Sequence, residues 1–220
     1  MGQRWPGMAA AHRDRRVGEV ARALAVSTDF DKLLLYATSS MSYALPPATF
    51  LSRKKQGLST ADEAIANLVD IAAADWRLLD EVAFGERKGA VIEQLAATLI
   101  RQRMPADRVF PERKVRFSDD IPETSPFDVL AAPVGTTWEG VECKAGWVIS
   151  DREGKELSWA AETAERLEAP LTVLIASAAS RSALLPAITR QLRSPRLVCY
   201  VAAETFRTLA QPAPRYPAVA

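Results

Sequence analysis

Apolar residues recur at helical spacing over residues 17–36, and this pattern predicts a helix there. Pro46-Pro47 interrupts it, and Ser52-Arg53-Lys54-Lys55-Gln56-Gly57 reads as a loop. Thr60-Ala61-Asp62-Glu63 is a capping-box pattern that opens a second helix running towards Phe84. Its apolar stripe, Ile65, Leu68, Val69, Ala72, Trp76 and Leu79, runs among Asp62, Glu63, Asp70, Asp75, Asp80 and Glu81. Such a stripe packs on another helix or a second subunit rather than on a cofactor.

Past residue 85 the period changes. Residues 89–102 keep helical spacing, with Ile92, Leu95 and Leu99 as a core face. Two short strand-like runs follow, 127–130 and 137–145, separated by the turn signal Pro133-Val134-Gly135. Then come a helix at 158–167, a continuous apolar strand at 171–176, a helix at 183–192 and a strand at 196–202. This order predicts an α/β sandwich with a mixed central sheet. The chain thus reads as a helical N-terminal region, 1–84, a core, 85–210, and an irregular tail, 211–220, rich in proline.

Composition narrows the class. A chain of 220 residues makes one ample domain, or one with an appendage. Its 48% hydrophobic and 25% charged residues are those of a soluble globular protein. No apolar run reaches membrane-spanning length and no signal-peptide core precedes the first helix, so a cytoplasmic protein without a membrane partner is expected. Cys143 and Cys199 lie in strand-like runs and read as reduced core residues. With the lone His12 they cannot make a four-ligand zinc site. His12 sits in an Arg-rich stretch expected to be mobile, which disfavours hydrolases and ribonucleases that need histidine in the core. The absence of a P-loop or a Gly-x-Gly-x-x-Gly turn disfavours a nucleotide cofactor.

Carboxylates and a lysine remain. In a strand over 137–145, Val141, Cys143 and Ala145 share an apolar face, and Glu142 and Lys144 share the other. Asp128 lies in the preceding strand-like run. The charged pair has two readings: the solvated face of an edge strand, or, joined by Asp128, a site that holds a divalent cation and a water beside it. Glu93 shares its helical stripe with Gly89, Ala97 and Ile100, small or apolar residues that let other backbone approach. It reads equally as a solvent-facing glutamate near a helix start.

Pro126-Phe127-Asp128 followed by Glu142-Cys143-Lys144 resembles the PD-(D/E)xK nuclease superfamily, the restriction-endonuclease-like proteins. The first element is loosened and the second fits fully. Glu93, after Lys88-Gly89, matches the helix glutamate that such enzymes often carry ahead of the motif. The resemblance spans roughly residues 85–205. It implies an αβββαβ core with a first strand near 108–117, and Mg²⁺-dependent hydrolysis of DNA phosphodiester bonds by a restriction- or defence-type endonuclease. It further implies Mg²⁺, or Mn²⁺ in its place, held by Asp128, Glu142 and the backbone carbonyl of Cys143. Lys144 would orient or deprotonate the attacking water, and Glu93 would hold the metal through water or bind a second ion. Two alternatives stand beside it: an inactive nucleic-acid-binding or assembly subunit of the same fold, and an unrelated α/β protein with solvated acids.

Net charge is only +1, but its distribution is uneven. Residues 61–86 hold seven acids against Arg77. Residues 101–116 hold six basic residues, Arg101, Arg103, Arg108, Arg113, Lys114 and Arg116, against Asp107 and Glu112. Residues 181–207 hold five arginines against Glu204. Of these, Arg101, Arg103, Arg113, Lys114 and Arg116 are the candidate phosphate contacts. A solvated surface of mixed charge is the other reading. Because double-strand cutting commonly uses two copies of one site, residues 1–84 are expected to mediate a homodimer or contact the target.

Overall fold

The structure, a computed structural model, describes residues 6–113, 127–132, 138–166, 171–191 and 198–211. It divides into two compact units, Met1–Thr98 and Leu99–Ala220; the sequence pattern changes earlier, at residue 85.

The first unit is helical: α1 (Pro6–Arg13), α2 (Arg15–Ala25), α3 (Phe30–Ser40), α4 (Ala48–Lys55), α5 (Thr60–Trp76) and the greater part of α6 (Glu81–Arg103). Val20, Leu24, Leu34, Val69, Trp76, Phe84, Ile92 and Leu95 form its core. Helix α5 packs on α2 and α3, so its apolar stripe is helix-packing surface. The stripe is centred on Ala66, Val69, Ala72, Ala73 and Trp76, while Ile65 and Leu68 are half-buried.

Three expectations about this region are corrected. The helix expected over 17–36 is two helices. The Ser27 hydroxyl bonds back to the Leu24 carbonyl, and the backbone N–H groups of Thr28 and Asp29 donate to the Asp62 carboxylate, 3.1 and 3.0 Å away. Polar side chains there offer the backbone an alternative to the helix. Residues 52–55, expected as loop, are the last turn of α4. Arg53, Lys54 and Lys55 sit where the helix dipole favours cations, and Gly57, at φ 73°, follows the Gln56 cap in the left-handed conformation. The helix opened at residue 60 ends at Trp76 instead of reaching Phe84. Its N-cap is Ser59, one residue before the expected box, and α6 restarts where Asp80 accepts the Ala83 N–H at 2.8 Å.

The second unit is α/β. Strands β1 (Val109–Arg113), β2 (Phe127–Ala131), β3 (Trp138–Lys144), β4 (Leu171–Ser177) and β5 (Val198–Val201) form one sheet in the order β1-β2-β3-β4-β5. The first three are antiparallel neighbours, whereas β3, β4 and β5 run parallel. Strand β4, flanked on both sides, is an almost unbroken buried apolar run, as a central parallel strand must be. Helices α7 (Asp151–Arg166) and α8 (Arg181–Gln191) pack together; their Leu157, Ala161, Leu184 and Ile188 join Leu130, Val173, Ile175 and Tyr200 in one cluster. Helix α7 starts seven residues before the expected 158, because Ser150 and Glu153 cap each other: Ser150 N–H and Oγ–H donate to Glu153 Oε2 at 2.8 and 2.7 Å. A 3-10 helix, Ala203–Ala210, precedes the tail, and residues 212–220 lie outside the described residues.

Candidate functional site

Strand β3 lies in the middle of the five, so its charged pair does not belong to an edge strand. Parallel pairing with β4 sets Glu142 opposite Ile175 and Lys144 opposite Ser177. Glu142 and Lys144 therefore sit at the C-terminal end of β3. Side-chain exposures of 16% and 11% make them largely buried rather than solvated.

Strand β2 brings the third residue. Its ladder with β3 runs from Ala131↔Glu139 through Leu130↔Gly140 to Val129↔Val141. The next rung would offer the Cys143 N–H the carbonyl of Phe127. Instead that N–H donates to Asp128 Oδ2 at 2.7 Å. The Asp128 carboxylate thus closes the ladder where the backbone of β2 stops pairing. The Phe127 ring lies over Gly140, and a Cβ on that glycine would lie 2.9 Å from it. A strand residue aims its N–H and C=O at the same neighbour, so the Cys143 carbonyl points to the side from which Asp128 approaches.

Lys144 is the centre of the cluster. Its Nζ lies 3.1 Å from Glu142 Oε1 and 2.8 Å from Glu156 Oε2 on α7. Burial disfavours the ammonium. The negative charge of Glu142, the hydrogen bond and charge of Glu156, and the charge of Asp128 outweigh that and hold its proton above the ordinary lysine range. Glu156 is pulled the other way: burial raises it, but the Lys144 hydrogen bond and charge, with Arg152, bring it below the ordinary glutamate value. Three carboxylates, those of Asp128, Glu142 and Glu156, thus act on one ammonium.

The expected residues divide as follows. Asp128, Glu142 and Lys144 come together in the second unit. Glu93 lies in the first, on α6, with its Oε2 2.8 Å from His12 Nε2, a buried partner of histidine rather than a solvent-facing glutamate near a helix start. His12 is corrected with it: far from a mobile terminus, it is on α1, its side chain 10% exposed. Arg103 is no phosphate contact. Its guanidinium pairs with Glu139 and donates to the Leu209 carbonyl, leaving 4% of the side chain exposed. Arg101 is exposed. Arg113 is in β1, its side chain outside the described set, and Lys114, Arg116, the Pro133-Val134-Gly135 turn and most of 181–207's arginine-rich centre lie outside the described residues. Glu156 was not foreseen. Its signal was Ser150-Asp151-Arg152-Glu153, a capping box whose helix carries Glu156 one turn beyond Arg152.

Among the described residues, no three His, Cys, Asp or Glu side chains gather closely enough to form a metal cage by themselves. Two carboxylates and a backbone carbonyl still suit Mg²⁺, a hard ion that takes oxygen ligands and keeps several waters. No helix among the described residues is long and apolar enough to cross a membrane. Compared with family models, curated proteins and solved structures, the chain finds no match.

Proposed function

We propose that this protein is a Mg²⁺-dependent endonuclease that hydrolyses DNA phosphodiester bonds, of the restriction- or defence-type that the PD-(D/E)xK resemblance suggests. One observation carries the reading: Asp128 of β2 and the Glu142–Lys144 pair of β3 meet at the point where the β2–β3 ladder ends. Asp128, Glu142 and the Cys143 carbonyl would hold Mg²⁺, and Mn²⁺ could replace it. Bound there, the ion supplies Lewis-acid stabilisation and an acidified water. Lys144 acts as a cation rather than a base. It donates to the attacking water or to a phosphoryl oxygen and meets the charge that develops in the transition state. Exposed Arg101, at the α6 end, would contact phosphates together with Arg113, Lys114 and Arg116. Cutting both strands calls for two copies of the site, so a homodimer, at least on DNA, is part of the proposal.

The test incubates the protein with plasmid, linear DNA and RNA, with and without Mg²⁺, beside Asp128→Asn and Glu142→Gln. Metal-dependent DNA cleavage by the wild type alone is the expected result. Light scattering with and without DNA reads the dimer. DNA binding without cleavage under any divalent ion would replace the enzyme with an inactive binding subunit. Neither binding nor cleavage would leave an α/β protein of other function.

A further inference from the structure

We propose that Glu156 is the positioning residue for Lys144, a clamp that keeps the ammonium in place when Glu142 turns to a metal ion. The inference rests on the nuclease reading above. It starts from a conflict inside the site. Glu142 holds Lys144 at 3.1 Å and is also an expected metal ligand. An ion drawing on the Glu142 oxygens weakens that hold, because a cation and an ammonium compete for the same carboxylate. Lysine carries its charge on a flexible four-carbon stem and would then lose its fixed geometry. Glu156 removes the conflict. Its Oε2 accepts from Lys144 Nζ at 2.8 Å, the shorter of the two contacts, from a different element.

Glu156 is itself held in place. The reciprocal Ser150–Glu153 cap fixes where α7 begins, and α7 packs on β3 and β4. Arg152, one turn earlier, reaches Glu156 Oε1 at 3.3 Å, so the two carboxylate oxygens serve two different cations. The other reading is a part-exposed ion pair, since 43% of the Glu156 side chain is exposed and such pairs contribute little to stability. A clamp and a surface pair differ in what removal does: the surface pair costs a little stability, the clamp costs the rate of the chemical step.

The experiment compares wild type with Glu156→Gln and Glu156→Asp, the second keeping the charge but shortening the reach. Melting temperature confirms folding. Calorimetry with Mg²⁺ alone reads the metal, single-turnover plasmid cleavage reads chemistry, and the rate at which an amine-acylating reagent modifies Lys144, read by mass spectrometry, reports how well the ammonium is held. Both variants should bind Mg²⁺ as wild type does and lose on the order of 100-fold in the cleavage rate constant at unchanged KM. Lys144 should be acylated several-fold faster, on the order of the lost contact, and faster still when Mg²⁺ is added. Variants that cut and label like a wild type that itself cuts would overturn the clamp alone. A wild type that neither cuts nor binds Mg²⁺ would overturn the nuclease reading, and the clamp's catalytic meaning with it.

Discussion

Two charged contacts decide what single residues do here, and they call for different tests. In the Lys144 cluster, charge is arranged around a group that the proposed reaction uses. Lys144→Ala should therefore lower the cleavage rate by about 10²–10³-fold while leaving Mg²⁺ and DNA binding intact. Glu142→Ala should lose metal binding as well, which calorimetry separates from the first case. If Lys144→Ala cuts at the wild-type rate, the site is misassigned. The His12–Glu93 contact is structural by comparison. With side chains 10% and 9% exposed, it joins α1 to α6 across 81 residues of sequence. His12→Ala strands the Glu93 carboxylate in a nearly dry place and should cost about 1.5–3 kcal/mol in denaturant unfolding. A change under about 0.5 kcal/mol would show that water takes over the histidine's part. Nothing in the sequence disclosed this pair. A single histidine among arginines carries no mark of a partner so far along the chain, whereas Glu142 and Lys144, two positions apart, announced themselves through strand parity alone.

At the scale of elements, legibility followed how local the cause was. Strand β4 could be read directly, because a buried parallel strand is apolar at nearly every position. The split between α2 and α3 could not, because its cause lies in another helix. Asp29, the N-cap of α3, makes no side-chain cap hydrogen bond, and the N–H groups of Thr28 and Asp29, just ahead of the helix, turn to Asp62 of α5. Asp62 is fully buried and also engages the Thr28 and Ser59 hydroxyls, so one carboxylate serves the starts of two helices. Asp62→Ala removes the shared acceptor of the Thr28, Asp29 and Ser59 donors and should destabilise by about 2 kcal/mol, against the roughly 1 kcal/mol of an ordinary exposed cap. Chemical denaturation measures it, and a loss under about 1 kcal/mol would argue that Ser59 caps α5 unaided. Strand β3 carries a comparable constraint. Gly140 faces the Phe127 ring with room for no side chain, so Gly140→Ala should cost about 1–3 kcal/mol through overpacking. Because Phe127 precedes Asp128, the same substitution should also weaken Mg²⁺ binding, which a purely local clash would leave unchanged.

For the whole molecule, a net charge of +1 builds almost no self-repulsion near neutrality, so pH acts through particular groups rather than through a global field. Asp62 and Asp70 set the acid limb. Burial favours their neutral forms, but hydrogen bonds overcome it and lower both: from Thr28, Asp29 and Ser59 to Asp62, and from Lys55, Ser40 and Tyr36 to Asp70. A carboxylate lowered in the folded state contributes stability that is complete above its unfolded value, about 4, and is lost as pH falls through the folded one. Tyr36, together with Lys144, sets the alkaline limb. Burial first, then its hydrogen bond to the Asp70 carboxylate and that carboxylate's charge, hold its proton above the ordinary tyrosine value. A raised group contributes stability that is complete below its unfolded value, about 10, and is lost as pH climbs past it. Unfolding free energy should therefore be flat between about pH 5 and 9 and fall on both sides. The two limbs share Asp70, which accepts from Tyr36 Oη at 2.6 and 2.7 Å while Lys55 Nζ approaches to 2.7 Å. Tyr36→Phe should make the alkaline limb shallower, leaving the part due to Lys144, with the acid limb still governed by Asp62. Asp70→Asn should weaken both. Denaturant titrations of the three proteins across pH 3–11 measure this, and an alkaline limb unchanged in Tyr36→Phe would place its source in Lys144 or another group.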